Sequence, residues 1–214
     1  MAATELAPQH TALLLVDPYN DFLSDGGKLW PRIAATRNAA GLHANLRAVL
    51  DAARAAGVPV VIVPHHRYDH GDLDGWKFMT PYQAGSARAL VFQKGEWGGE
   101  WHPDFAPRPG DIVVKEHWAS SGFANTDLDL QLRQRAITHV VLIGLVANTC
   151  IEGTGRNASE LGYHVTLVRD ATAAFSDEAL HAAHEINAAS FAHQLVSTEQ
   201  LVAQLAALGD ATRP

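Results

Sequence analysis

His139-Val140-Val141-Leu142-Ile143-Gly144-Leu145-Val146-Ala147-Asn148-Thr149-Cys150-Ile151-Glu152-Gly153-Thr154 is the stretch whose reading decides the fold. Residues 140–143 form a continuous apolar run within a strand read as His139 to Ile143, the pattern of a strand buried on both faces. After Cys150 the chain reads as a helix to about Leu161, closed by Gly162. A strand that feeds a helix this directly is half of a βαβ unit. Cys150 is the only cysteine, and it stands at the junction. A thiol there faces the positive end of a helix dipole, which favours the thiolate. A lone cysteine without such a setting is more often a small buried hydrophobe.

The same rhythm runs outward in both directions. Apolar runs at Thr11–Val16, Val58–Val63, Asp111–Lys115, His164–Val168 and His193–Val196 read as further strands. Helical spacing covers about Ile33–Ala56, Leu128–Ala136, a segment opened by Ser176-Asp177-Glu178 with Ser176 as cap, and the C-terminal stretch. This alternation predicts one domain over residues 1–214. Its fold class is α/β: a three-layer α/β/α, Rossmann-like arrangement around a six-stranded, mainly parallel sheet. Ligands of such sheets bind beyond the carboxyl ends of the strands. Asp17, Lys115 and the segment leading to Cys150 all fall at ends of that kind. Alone, Asp17 reads equally well as a turn residue before Pro18, and Lys115 as an ordinary strand-terminal lysine.

Residues 64–109 break the rhythm. They carry Trp76, Trp97 and Trp101 with Gly and Pro, and show little periodicity. A connection this long is usually functional, and its aromatic content argues against disorder. It reads as a lid or pocket wall, with two of these tryptophans expected to pack and one to face the pocket.

The 214 residues carry 16 Lys+Arg against 23 Asp+Glu, a net charge of -7. No basic cluster marks a nucleic-acid surface, so the expected partner is a small-molecule substrate. No apolar run is long enough for a bilayer, so no membrane partner is expected. Met1 to His10 lacks the pattern of a signal peptide, and one cysteine cannot make an intrachain disulfide. Both point to a reducing, cytoplasmic setting.

A nucleophilic thiolate needs a counter-charge, a proton carrier and donors for an oxyanion. Lys115 supplies the charge in this reading, Asp17 moves the proton, and backbone N–H groups before Cys150 take the oxyanion. No histidine is required. The chemistry that follows is acyl transfer from an amide to Cys150, release of an amine or ammonia, then attack by water.

At this point the sequence resembles the isochorismatase-like cysteine hydrolases, which include nicotinamidases and other amidohydrolases. The blocks that carry the resemblance are Ala12-Leu13-Leu14-Leu15-Val16-Asp17-Pro18-Tyr19-Asn20-Asp21-Phe22-Leu23 with Gly26-Gly27, Val113-Val114-Lys115 followed by Ser121-Gly122-Phe123 and Thr126-Asp127-Leu128, residues 144–156 around Cys150, and Val168-Arg169-Asp170-Ala171. The resemblance implies Asp17 as acid/base, Lys115 as the cation beside the thiolate and Cys150 as nucleophile. It also implies a cis peptide between Leu145 and Val146, with the Val146 and Cys150 N–H groups as the oxyanion hole. Phe22, His66, Trp76, Trp118 and Phe123 are the expected substrate contacts. Family members are commonly dimers or tetramers, so a homodimer or homotetramer is expected. The stretch from Lys115 to Phe123 is longer than in many relatives, and Pro18-Tyr19 replaces other residues often found there.

Nicotinamidases of this family hold a divalent metal with an Asp-x-His and a further His. The corresponding region here reads His65-His66-Arg67-Tyr68-Asp69-His70. Its ligand types suit zinc but its spacing differs, so no metal and no other cofactor is expected. The leading reading is a cysteine hydrolase of a C–N bond in a small amide, imide or ureido compound. The alternatives are an isochorismatase-type vinyl ether hydrolase, which does not need the cysteine, and a non-catalytic binding protein on the same scaffold.

Overall fold

The structure, a computed structural model, describes residues 6–211. The N-terminal stretch read above for a signal peptide therefore lies partly outside the described residues. Six strands form one sheet in the order β3-β2-β1-β4-β5-β6. They are β1 (Thr11–Val16), β2 (Val60–Val63), β3 (Ile112–Val113), β4 (His139–Leu145), β5 (His164–Ala173) and β6 (Gln194–Val196). Every pairing is parallel, so the sheet is parallel throughout rather than mainly so. The chain builds outward from β1 to β3, then returns to the other side of β1 and builds outward again. Strand order therefore reverses between β1 and β4, where diverging connections open a crevice at the carboxyl ends.

Alternate residues of the central strands feed opposite cores. Leu13, Leu15, Val60, Ile62, Val141 and Ile143 pack with Leu42, Leu46, Val49 and Leu50 of α3 (Ala39–Ala55) and with Leu201 and Leu205 of α8 (Thr198–Ala211). Ala12, Leu14, Val61, Val63, Val140 and Leu142 pack with Leu128 and Leu132 of α5 (Leu128–Arg133) and with Ala158 of α6 (Glu152–Glu160). Strands buried on both faces must be apolar throughout, which is why they read as unbroken hydrophobic runs.

Several boundaries depart from the sequence reading for local reasons. The helix expected over Ile33–Ala56 is two: α2 (Trp30–Ala34) and α3. The break falls at 36–38, where the Thr36 hydroxyl donates to Ile33 O and the Asn38 amide donates to the carbonyls of Arg169 and Thr172. Such side chains offer the backbone an alternative to the helix. β5 runs on to Ala173, past its expected end at Val168. Short α1 (Asn20–Leu23) follows β1, and α7 (Asp177–His181) starts at the expected Ser176 cap, whose hydroxyl accepts from the Ala179 N–H. Within residues 64–109 lies a helix with no counterpart in the sequence reading, α4 (Pro81–Ala89). Thr80 and Gln83 form a capping box at its start, with Pro81 in its first turn. None of its residues is fully buried, so it shows no apolar stripe.

Candidate active site

The two central strands place the first two functional groups. β1 and β4 run in register to the pair Val16–Gly144. Gly144 has φ +111°, and a Cβ there would lie 2.2 Å from Val16 O, so only glycine lets the strands come this close. Asp17 is the first residue beyond β1. It is fully buried, at φ 55°, with its N–H donating to Val63 O at 3.0 Å. Left-handed backbone is unusual for a residue with a Cβ, though Asp adopts it more readily than most. Here it turns the chain at the crevice. Beyond β4 the Leu145–Val146 peptide is cis, as the family resemblance implies. The chain then makes a wide π-type turn over Ala147–Ile151 and enters α6. Cys150 lies in this turn, 1% exposed.

Lys115 does not join them. It is exposed, its N–H donates to Asp127 Oδ1 at 2.7 Å, and its charge acts on the Asp127 carboxylate, which it helps hold below its usual range. The reason is the pleat. β3 ends at Val113, which faces solvent, Val114 turns into the core, and Lys115 returns to the solvent side. Regular pairing then lapses and resumes at His117, which bridges His65. The His117 N–H donates to Pro64 O at 2.9 Å and the His66 N–H to His117 O at 2.7 Å. This brings His117, not Lys115, to the sheet edge. A carboxylate oxygen of Asp17, a ring nitrogen of His117 and Cys150 Sγ all lie within 4.8 Å of one another, and all three residues are buried. Lys115, expected beside the thiol, is therefore not placed there, and His117, a residue the sequence reading left out, occupies that position. The signal was the extra length between Lys115 and Ser121-Gly122-Phe123, which moves the inward position two residues along.

Hydrogen bonds define the protons at this cluster. His117 Nδ1 lies 2.9 Å from Ala119 O, so Nδ1 carries a hydrogen. His117 Nε2 lies 3.0 Å from Asp17 Oδ1, and a lone pair facing a carboxylate oxygen would repel, so this contact also holds a proton. Asp17 and His117 thus share a proton across this contact. The second oxygen, Asp17 Oδ2, is buried and has no hydrogen-bond partner among the described residues. Cys150 Sγ has only long contacts, 3.7 Å to Ala119 O and 3.8 Å from the Thr149 hydroxyl. Burial pushes the Cys150 thiol up, and the Asp17 charge pushes it further in the same direction. The thiol is therefore protonated at rest. This runs against the expectation that the helix dipole favours a thiolate, because desolvation and a neighbouring carboxylate oppose the fractional dipole charge.

The crevice walls come from the segments on either side of His117. The His66 ring stacks on Trp118 with centroids 3.7 Å apart, and Trp76 stacks on Trp118 at 5.4 Å. Burial opposes charge on His66, but hydrogen bonds to Glu116 and Asp72 prevail and raise its pKa. These three expected contacts form one aromatic ladder next to His117. Phe22 instead lies fully within the core, 4.8 Å from Phe92, and Phe123 packs against Tyr163 at 5.8 Å. Neither is placed as a substrate contact. Trp101 stacks on Tyr19, whereas Trp97 is 51% exposed at a separate 480 Å³ cavity. Two tyrosines missed in the sequence, Tyr68 and Tyr82 on α4, feel the charge of Cys150. Burial raises both hydroxyls above their ordinary range, and the charge of Cys150 adds to each. Their signal was absent because α4 itself was illegible.

His65, His66, Asp69 and His70, whose types suit zinc, do not converge on one point. His65 Nδ1 bonds to His66 O, His66 to Asp72 and Glu116, and Asp69 to the His70 N–H. Burial lowers His65 to a pKa of about 4, so it is neutral. Among the described residues, the one acid/His/Cys cluster of metal-ligand dimensions is Asp17, His117 and Cys150. Its donor types suit zinc. Its His117 Nε2, however, is directed at Asp17 Oδ1 rather than at a point shared with Sγ, so the arrangement fits a hydrogen-bonded triad better than a coordination sphere.

A family model described as the Isochorismatase domain matches residues 11–200. A ureidoacrylate amidohydrolase RutB from Agrobacterium fabrum is 33% identical over 177 residues, covering 78% of this chain and 77% of the relative. A second RutB, from Caulobacter segnis, is 31% identical over 86% of this chain and 81% of its own length. Among solved structures, a cysteine hydrolase from Pseudomonas syringae pv. phaseolicola superposes with a TM-score of 0.81 at 25% identity, covering 97% of this chain and all of that one. An N-carbamoylsarcosine amidase from Thermoplasma acidophilum gives a TM-score of 0.67 at 29% identity, covering 89% and 97%.

Proposed function

This chain belongs to the isochorismatase family and is a cysteine hydrolase of non-peptide C–N bonds in small amides, and we propose that Asp17, His117 and Cys150 carry the reaction. The observation that supports this assignment is the convergence of those three buried groups at the switch point of the sheet. The ureidoacrylate and N-carbamoyl substrates named for its relatives favour a ureido or carbamoyl group as the one attacked.

The steps follow from the proton positions. Asp17 Oδ2, free of other partners, takes the thiol proton as Sγ bonds to the substrate carbonyl carbon. The carbonyl electron pair moves to oxygen, where the Val146 and Cys150 N–H groups receive it. His117 keeps its proton throughout and supplies the positive charge that offsets the growing negative charge. The C–N bond then breaks as Asp17 returns the proton to nitrogen. This leaves a thioester from an amide, or an S-thiocarbamate from a ureido group. Water, deprotonated by Asp17, attacks that carbon. The C–S bond breaks, and the thiolate recovers its proton from Asp17.

No step requires a metal, and activity should survive prolonged chelation; loss on chelation with recovery on adding zinc would reverse this. We place the enzyme in a reducing cytoplasm as a single-domain homodimer or homotetramer. The single reduced thiol supports the location, and the exposed Trp76, Phe78, Met79 and Trp97 support a subunit contact. Among the described residues no helix is long and apolar enough to cross a membrane. Ammonia release across a panel of small amides, imides and ureido acids, with Cys150→Ala as control, tests the activity. Turnover retained in Cys150→Ala would overturn the nucleophile.

A further inference from the structure

We propose that Glu116 is a positioning residue whose carboxylate locks a one-residue bulge after β3 and so aims the His117 ring at Asp17. This rests on the part given to His117 in the hydrolase reading above and extends it to the device that holds that ring in place.

The bulge is visible in the register. β2 and β3 pair Val61 with Ile112 and Ile62 with Val113. Carried on without interruption, that pairing would set Glu116 opposite His65. Instead His117 bridges His65, so the β3 side holds one residue more than its partner. An offset of this kind exchanges the side chains that face inward and outward. Val114 is 3% exposed and His117 is fully buried, whereas strict alternation from Val114 would turn Glu116 inward and His117 outward. The bulge therefore decides which side chain reaches Asp17.

The sheet ladder does little to hold it. Across the offset the Lys115 N–H leaves the sheet for Asp127 Oδ1 at 2.7 Å. Backbone bonds resume at His117, from its N–H to Pro64 O and from the His66 N–H to its carbonyl. Glu116 fills the gap. Its Oε1 accepts from Arg67 Nε at 2.6 Å and its Oε2 from the Arg67 N–H at 3.0 Å, with His66 Nδ1 3.3 Å from Oε2. Burial opposes charge on Glu116, but the bonds from His66 and Arg67 prevail and bring its pKa to about 2, so it is ionised. The main chain and guanidinium of one arginine thus engage both carboxylate oxygens, and a shift of one residue would break both bonds together. Trp118, two residues beyond Glu116, stacks on the same His66 at 3.7 Å, and His66 Nε2 is tied to Asp72 at 2.7 Å. Between these two gripped residues the His117 ring crosses to the other side, 3.0 Å from Asp17 Oδ1 and 2.9 Å from Ala119 O. Ala119 O is also 3.7 Å from Cys150 Sγ, so a displacement of this segment is felt at the nucleophile.

The test follows the His117 ring directly. In a proton–nitrogen correlation spectrum of the histidine rings, the His117 signals are identified by their absence in His117→Gln. Wild type should show slowly exchanging ring N–H signals, as hydrogen bonds at both nitrogens of a buried ring require. Glu116→Ala should displace them, Arg67→Ala should do the same from the other side of the lock, and Glu116→Gln, which still accepts from the Arg67 N–H, should keep part of the wild-type pattern. For ammonia release, Glu116→Ala should lower kcat about tenfold, the scale of a misplaced catalytic group, with KM within about threefold. In a His117→Gln background it should cost no more than about twofold further, because a residue that acts through His117 then has nothing left to position. Unchanged His117 signals in both Glu116→Ala and Arg67→Ala overturn the proposal, even where the melting temperature falls, as does an undiminished loss of kcat in the His117→Gln background. Displaced His117 signals with kcat intact would instead uphold the positioning of the ring and count against the part given to His117 in the hydrolase reading.

Discussion

Histidines cluster at both ends of this sheet, and the two clusters behave in opposite ways. At the carboxyl end, His117 has an acceptor for each ring nitrogen, Ala119 O and Asp17 Oδ1, and is completely buried. At the amino end, His139, His164 and His193 stack on neighbouring strands with centroids 4.6 and 4.4 Å apart. There His139 Nε2 and His164 Nδ1 are buried with no partner among the described residues. Burial, with mutual repulsion behind it, lowers the pKa of His139 and brings that of His164 to about 4. A ring acquires chemistry from what it faces.

The largest effect should come from the carboxyl end. Cys150→Ala should reduce turnover by at least about 10⁴-fold, the scale of losing a nucleophile, with the melting temperature nearly unchanged. Assays of ammonia release and thermal unfolding measure both. Asp17→Asn should follow at about 10³-fold in kcat with KM little altered, as removal of a proton carrier requires. A rise in KM alone would contradict that role. His117→Gln should cost about 10²-fold, and Lys115→Gln less than about threefold, because one removes a charge at the reacting atoms and the other a solvated charge. At the amino end His164→Gln should leave kcat unchanged and alter only acid stability. His164 has a folded pKa of about 4, below its ordinary 6.5. Between those values the unfolded chain binds the extra proton, so its stabilisation is complete above pH 6.5 and is lost as pH falls towards 4. His164→Gln should therefore flatten the loss of melting temperature between pH 6.5 and 4.

The contrast also shows what a sequence reveals. The sheet was legible because strands buried on both faces must be apolar throughout, and residues 12–16, 58–63 and 140–145 are. Asp17 was legible because it directly follows such a run, and Cys150 because it stands five residues beyond one, before a helix. His117 was not. It follows a two-residue edge strand, after which pairing lapses and resumes, and residue counting from a strand that short cannot tell which side chain returns inward. Tyr82 was hidden for a different reason: α4 is held by its Thr80–Gln83 cap and buries no apolar stripe, so it left no periodicity to read. The protonated resting thiol was equally invisible, because desolvation depends on which chains close over Cys150.

The central claim is that His117, rather than Lys115, is the charged partner of Asp17 and Cys150. The pH profile of Cys150 alkylation by iodoacetamide, compared in wild type, His117→Gln and Lys115→Gln, tests it most directly. The account predicts that the Lys115→Gln profile superimposes on wild type and that the His117→Gln profile moves to higher pH. A profile displaced in Lys115→Gln and unchanged in His117→Gln would contradict it.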